Sequence, residues 1–348
     1  MKAMVISAPK DVRYIEVERP KTGPGDVLVR VRYCGICGTD LAIFGGNMSF
    51  VRDGLIKYPV RIGHEWSGIV EETGSEVVNF KPGDRVIGDN WVSCGQCKYC
   101  MQGDFHKCSG IRAVGTVNCW DGAFAEYILI PARHLYKLPD GISLEDGALI
   151  EPLSIAYSGV KESGIGTGCS VLVIGTGPIG LAATALARYM GAGKVMLAGR
   201  KDVKLDVGKK MGADTVINVT RESLKDFVLK ETEGQGVSVI LETSGAISII
   251  NDCLDYIGKK GIITLIGFYE TQLNNFNIDK LVLNRIKMIG VTGEVTLHEI
   301  INVVKTAGIS LKPTITHRFA FDEAADAIRT AEGKNDIRIK MLVEVQTR

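Results

Sequence analysis

At 348 residues the chain exceeds one typical domain and fits two, each with a substantial core. Hydrophobic residues make up 45% and charged residues 23%, and 41 basic residues nearly cancel 40 acidic ones, which excludes the charge excess that nucleic acids or anionic membranes attract. Nine cysteines without a secretory signal point to a reducing, cytoplasmic setting, where clustered thiols bind metal more often than they pair as disulfides.

The chain opens MKAMVISAPKDVRYIEV, which reads as strand and turn and not as a targeting segment. Up to about residue 150 short β patterns follow one another, among them Val27–Val31, Ser67–Glu72, Arg85–Ile87 and Ala125–Ile130, with turns at GPGD, KPGD and LPDG. The first long helical period is Leu144–Ser158. This part reads as an all-β lobe, a partly open barrel.

Between Glu162 and Arg188 lie 25 residues without a charge, long enough for a membrane span. Six glycines and a proline break the run, and β-branched Val171–Ile174 gives way to an Ala/Leu stretch, so it reads as strand, turn and buried helix. Alternating units continue: Ile179–Met190, Lys194–Ala198, Val203–Met211, Thr215–Ile217, Leu224–Glu231, Ser238–Thr243, Ile247–Tyr256 and Gly261–Gly267. Repeated βα units specify a doubly wound parallel sheet. Helices near Leu297–Thr306 and Phe321–Ala331 and a strand Ile339–Val345 return to the first lobe.

Three constellations carry chemistry. Cys94, Cys97, Cys100 and Cys108 (C-x2-C-x2-C-x7-C) can converge on one tetrahedral ion, and zinc bound there would have no open position and no catalytic role. An iron–sulfur cluster is the rival occupant, although the long last step and the missing proline depart from the bacterial cluster run. His106 is a fifth possible ligand that four cysteines make unnecessary. In the second constellation, Gly175-Thr-Gly177-Pro178-Ile179-Gly180 follows a strand and opens a helix. It is the G-x-G-x-x-G turn whose backbone and helix N-terminus receive a pyrophosphate.

The acidic residue of an NAD site, about twenty residues later, falls on Gly199, while Arg200 and Lys201 offer positive charge to a 2′-phosphate. NADP is thereby favoured over NAD, unless a register shift makes Asp202 the ribose acid. The third constellation is Cys37 and His64, first-rank zinc ligands, with Glu65 and Glu151 as candidate carboxylate ligands. Each taken singly also reads as an ordinary buried or surface residue. Cys34, three before Cys37, reads as a buried thiol more than a redox partner, and Trp91 and Trp120 as core more than pocket.

GPGDVLVRV, CGICGTD, GHE, the four-cysteine segment, LIEPLS and VLVIGTGPIGL, in that order, resemble the zinc-dependent medium-chain dehydrogenase/reductase family (alcohol, sorbitol and threonine dehydrogenases), and its polyol-dehydrogenase branch in particular. The resemblance spans essentially the whole chain. It implies an α/β protein: a GroES-like, partly open β-barrel catalytic domain at 1–154 and 293–348, with a structural-zinc lobe near 90–110, and a Rossmann domain at 155–292. It implies two Zn2+ per chain. Cys37, His64, Glu65 and Glu151 surround the catalytic ion, and Cys94, Cys97, Cys100 and Cys108 hold the structural one. Thr39 takes the substrate proton, with Asp40 behind the ligands.

The implied reaction is hydride transfer between a secondary alcohol (polyol, cyclitol or sugar-derived) and NADP, more than NAD, giving a ketone. An L-threonine 3-dehydrogenase-like activity is the alternative, and a non-enzymatic NADP-binding protein the alternative of another class. The expected partner is a small alcohol or ketone, with no nucleic acid or membrane, in a homodimer or homotetramer. Two departures stand out. Ala42 replaces a histidine that extends the proton relay in several relatives. Ile289-Gly-Val-Thr-Gly-Glu294 lacks the arginine and tyrosine of the sorbitol pattern, which argues against sorbitol itself.

Overall fold

The computed structural model describes all residues except 294–295, 332–336 and 347–348. The chain divides into two compact units, Met1–Glu151 with Leu297–Lys305 and Ile315–Arg348, and Pro152–Thr296 with Thr306–Thr314. The sequence-based boundaries at 154/155 and 292/293 stand against 151/152 and 296/297 here, and Thr306–Thr314, expected in the first unit, falls in the second. Glu294, at the end of the sorbitol-pattern comparison, lies outside the described residues.

In the first unit β1 (Lys2–Ala8) and β2 (Asp11–Glu16) form a hairpin. The long β3 (Asp26–Ile36) pairs with β4 (Glu65–Thr73), which continues to β5 (Arg85–Gly88). β6 (Trp91–Val92) and β7 (Arg112–Ala113) form a short ladder that brackets the cysteine segment. β8 (Tyr127–Pro131) pairs with residues 26–30 of β3, and β9 (Leu135–Lys137) closes on β5. Val27, Val29 and Val31 of β3 are buried and pack with Ile128 and Ile130 in one apolar core that also holds Trp66 and Phe124.

The expected helix Leu144–Ser158 is two helices, Leu144–Ala148 and Ile150–Glu162. Pro152 explains the break. It has no N–H to give the carbonyl of Ala148, and its ring is tolerated only in the first turn of a helix.

In the second unit β10 (Ser170–Ile174), β11 (Lys194–Gly199), β12 (Thr215–Asn218), β13 (Val237–Glu242), β14 (Ile257–Leu265) and β15 (Lys287–Gly290) form one parallel sheet in the order β12-β11-β10-β13-β14-β15. This is the doubly wound order, whose switch point lies between β10 and β13. The charge-free run 163–187 resolves into β10, its glycine turn and the helix Pro178–Tyr189. Among the described residues no helix is long and apolar enough to cross a membrane. The expected helix Ile247–Tyr256 shrinks to Ile249–Cys253.

The chain then returns with β16 (Ile315–Ala320) and β17 (Lys340–Glu344), completing the first unit's sheet as β16-β17-β3-β4-β5-β9. β3 thus exchanges one neighbour for another along its length, β8 at residues 26–30 and β17 at residues 33–36. That exchange, with bulges on the β4 side, bends the sheet into a partly open barrel.

Candidate active site and metal centres

The end of β3 sets the first candidate ligand. Cys37 is the N-cap of the helix Gly38–Gly45, a short element without a long helical period to announce it. Asp40, three residues on, turns its Oδ2 back to accept the Cys37 N–H at 2.8 Å, so one carboxylate fixes the cysteine's backbone. Thr39 sits half-buried in the first turn of the same helix. Asp40 is completely buried, and burial, opposed chiefly by His64, pushes its carboxyl up.

His64 and Glu65 enter at the start of β4. Cys37, His64 and Glu65 each present a ligand atom within 4.8 Å of the others. His64 Nδ1 lies 3.8 Å from Asp40 Oδ1, and neither buried atom has a hydrogen bond. A carboxylate facing Nδ1 leaves the other ring nitrogen for a metal. Burial lowers the His64 pKa, but the negative charges of Cys37, Asp40 and Glu151 outweigh it and hold the imidazole well above its ordinary range. Such crowding of anionic donors around one point, with sulfur, nitrogen and oxygen all offered, fits a divalent zinc ion.

The two glutamates are placed differently. Glu65 is bound through both oxygens to Lys340 of β17, at 2.7 and 2.6 Å. Lys340 also approaches the carbonyl of Ile36 at 3.5 Å. Burial pushes this ammonium down, and Glu65 and Cys37 more than restore it. Gly35 lies opposite Glu65 across the β3–β4 ladder, where any Cβ would come within 2.2 Å of Glu65 Oε2. Glu151, in the first turn of its helix, falls outside the three-residue ligand group, and its Oε1 accepts from Asn90 Nδ2 at 2.6 Å. Burial, with Glu65 adding to it, pushes the Glu151 carboxyl up to about 7. Lys340 and Asn90 carry no motif, and sequence reasoning missed both.

Cys94, Cys97, Cys100 and Cys108 form the second ligand group, also within 4.8 Å. Cys97 and Cys94 lie 3.5 and 3.8 Å from Cys100, and the Cys94 N–H points at Cys108 Sγ at 3.3 Å. Backbone N–H groups of Gln96 and Cys97 draw the Cys94 thiol down to about 6, as thiolate ligation requires. His106 takes no place in this group; its ring lies 4.5 Å from that of Trp91. Trp120 donates from Nε1 to the Leu129 carbonyl and packs against the barrel core. Cys34 is fully buried and its thiol is pushed well up, chiefly by burial, which leaves it inert.

The glycine turn sits at the C-terminal end of β10. Gly175 has φ +118°, a conformation open to glycine, and a Cβ on Gly180 would lie 2.0 Å from the Gly175 carbonyl oxygen. Gly177 is the N-cap of the helix Pro178–Tyr189, with Pro178 and Ile179 in its first turn, and a Cβ there would meet nothing within 4 Å. That open face at a helix N-terminus is the arrangement that can receive an anion.

Gly199 ends β11 under Thr176, whose Cγ2 lies 2.4 Å from where a Cβ would stand. Any side chain at that position requires Thr176 to shift. Arg200 is exposed and Lys201 half-buried. Asp202 accepts from Asn218 Nδ2 at 2.6 Å and pairs with Arg221 at 2.8 Å, so its carboxylate is already engaged. At the end of β13, Glu242 is buried and accepts from Ser244 N, Gly245 N and Tyr269 Oη at 2.8, 3.2 and 2.5 Å, tying the loops after β13 and β14 together.

Comparison with known proteins agrees with this geometry. Residues 23–140 match the alcohol dehydrogenase GroES-like domain and residues 178–307 the zinc-binding dehydrogenase family. The chain is 36% identical over 318 residues to L-threonine 3-dehydrogenase of Pyrococcus horikoshii, covering 90% of each. It is 31% identical over 342 residues to sorbitol dehydrogenase of Halalkalibacterium halodurans, covering 95% of this chain and 97% of that one. A zinc-binding dehydrogenase of Sinorhizobium meliloti 1021, solved bound to NADP, superposes with a TM-score of 0.88 at 30% identity over 99% of each chain. With both family matches, both cysteine-bearing ligand groups and the doubly wound sheet in hand, the chain belongs to the zinc-dependent medium-chain dehydrogenases, as an alcohol dehydrogenase with a GroES-like and a Rossmann unit.

Proposed function

We propose that the enzyme interconverts a secondary alcohol on a polyol, cyclitol or sugar-derived substrate and its ketone, with NADP(H) as the hydride partner. The observation that carries this is the convergence of Cys37, His64 and Glu65 on one point, with a second glutamate, Glu151, near enough to act on His64 electrostatically.

Cys37, His64 and Glu65 would hold a zinc ion that would supply Lewis-acid polarisation of the substrate oxygen, with the nicotinamide as the hydride partner. The chain's own residues supply the rest. Asp40 orients Cys37 and His64. Lys340 restrains Glu65, which would reach a metal only from that tether, while Glu151, steadied by Asn90, would be the second carboxylate. Thr39 would receive the hydroxyl proton, and with Ala42 in place of a histidine that proton would pass on through water or Glu151. Gly175, Gly177, Pro178, Ile179 and Gly180 cradle the pyrophosphate. Gly199, Arg200 and Lys201 favour the 2′-phosphate of NADP. Cys94, Cys97, Cys100 and Cys108 hold a second, structural zinc. Cytoplasmic residence rests on the nine cysteines without a secretory signal and a homodimeric or homotetrameric state on the family resemblance, and both belong to the same proposal.

A second reading is supported by the threonine dehydrogenases that resemble the chain at 34–36% identity over about nine-tenths of its length. A panel of polyols, cyclitols, amino alcohols and simple secondary alcohols, each with NAD and NADP, separates the two. Turnover of L-threonine above every polyol would overturn the first reading. Replacing His64 with alanine is expected to abolish turnover while NADPH still binds; unchanged turnover would refute the metal role.

A further inference from the structure

The doubly wound sheet holds a buried acid of its own, outside both ligand groups. Glu242 ends β13 directly beside Ile174 of β10 and is completely buried. Its carboxylate accepts four hydrogen bonds. The Ser244 N–H and hydroxyl reach Oε1, and the Gly245 N–H and the Tyr269 hydroxyl reach Oε2. A carboxylate offers about four lone-pair sites, so its capacity is used. Three of the donors belong to the loop after β13 and the fourth, Tyr269, to the loop after β14.

The same two loops meet through bare backbone. A Cβ on Gly267 would come within 2.8 Å of the Gly245 nitrogen. One on Gly245, which has φ +68°, would come within 2.7 Å of the Phe268 carbonyl oxygen. On the other side Thr243 Oγ1 donates to the Ile174 carbonyl at 2.8 Å and stands 2.5 and 2.7 Å from where a Cβ on Gly175 or Gly180 would be. One carboxylate thus fixes a rim that is built from the ends of β13 and β14 and abuts the glycine turn. That rim lies across the switch point from Arg200 and Lys201, which follow β11. In a doubly wound sheet each half takes one mononucleotide, so β13 and β14 belong to the half opposite the adenosine end.

We propose that Glu242 and Tyr269 form a latch that positions the nicotinamide half of the cofactor crevice. The carboxylate sets the backbone at Ser244 and Gly245, and the Tyr269 hydroxyl locks the loop after β14 onto it. The proposal rests on the reading of the glycine turn as an NADP site. Both are positioning residues, since the carboxylate is enclosed and acts on a cofactor only through the loops it holds. Residues 266–277 form neither helix nor strand. Tyr269 pins their near end, and Asn251 Nδ2, donating to the Asn275 carbonyl at 3.1 Å, pins their far end. A cofactor binds only the fraction of molecules whose rim is in place, so loosening the latch raises the apparent Kd by the inverse of that fraction.

The test uses the full-length enzyme and reads binding, not turnover. NADPH is titrated by fluorescence, and 2′,5′-ADP, which lacks the nicotinamide half, by calorimetry. Tyr269→Phe keeps the ring and removes one hydrogen bond to a charged group, so the Kd for NADPH is expected to rise about three- to tenfold. The Kd for 2′,5′-ADP should stay at its wild-type value, whereas general loosening of the unit would weaken both ligands together. Glu242→Gln is expected to show the same split. If it does not fold, Tyr269→Phe carries the test alone. Wild-type NADPH affinity in Tyr269→Phe, or an equal loss for NADPH and 2′,5′-ADP, would overturn the latch. A wild type that binds NADH and not NADPH would overturn the 2′-phosphate reading, and the latch is then judged by NADH against AMP in the same variants. A wild type that binds neither cofactor would overturn both.

Discussion

Lys340 Nζ grips both carboxylate oxygens of Glu65, at 2.7 and 2.6 Å, with the two side chains only 3% and 1% exposed. A buried charge left without its partner is far more costly than the pair itself is stabilising. Lys340→Met is therefore expected to destabilise the protein by about 3–5 kcal/mol in urea denaturation. Lys340→Arg, which can still make a two-point contact, should lose much less. If Lys340→Met denatured like the wild type, Glu65 would have another partner and the tether would be wrong.

The glycine turn separates fold from ligand at two positions three residues apart. Gly180→Ala drives a Cβ to 2.0 Å from the Gly175 oxygen, an overpacking that should cost about 1–3 kcal/mol. Gly177→Ala meets no neighbour and should melt like the wild type. Its methyl group would instead occupy the face the pyrophosphate approaches, so NADPH fluorescence titration should show weakened binding. Equal NADPH affinity in Gly177→Ala and wild type would argue against a cofactor at this turn.

Cofactor choice is expected to depend on Arg200 and Lys201. Replacing both with alanine removes charge-assisted contacts of about 1.5–3 kcal/mol each, so the KM for NADP should rise about a hundredfold or more. The KM for NAD, which lacks the 2′-phosphate, should move little. Steady-state kinetics with both cofactors decides, and a parallel rise for the two would remove these residues from the 2′-phosphate site.

Metal analysis should find two zinc ions per chain and no visible absorption. Chelation that removes the catalytic ion should abolish turnover, and zinc should restore it. Iron with a brown chromophore would transfer the four-cysteine lobe to the cluster-binding class.

The parts of the site that were readable in the sequence are those whose chemistry is local. The glycine turn, the cysteine spacing, CGTD and GHE each occupy a short window, and each carries residue types that few other functions need together. The alternating βα pattern was readable because a parallel sheet buries β10 on both faces and leaves runs such as Val171–Ile174. Lys340 was not readable. It is 275 residues from Glu65, and a lone lysine at the start of an apolar strand has no local signature. Nor was the reason for Gly199 visible. Its sequence reading concerned the absent acid, whereas the structure adds Thr176 standing where a side chain would be. The apolar periodicity across Leu144–Ser158 runs through Pro152, whose backbone chemistry divides it into two helices.

The bare backbone at Gly35 makes room for the Glu65 carboxylate, and that links heredity to geometry. A lineage that first gives position 35 a side chain evicts the carboxylate. One that first shortens Glu65 strands the Lys340 ammonium inside the barrel. Each single step costs stability, so change at 35, 65 and 340, three positions on three adjacent strands, is coupled.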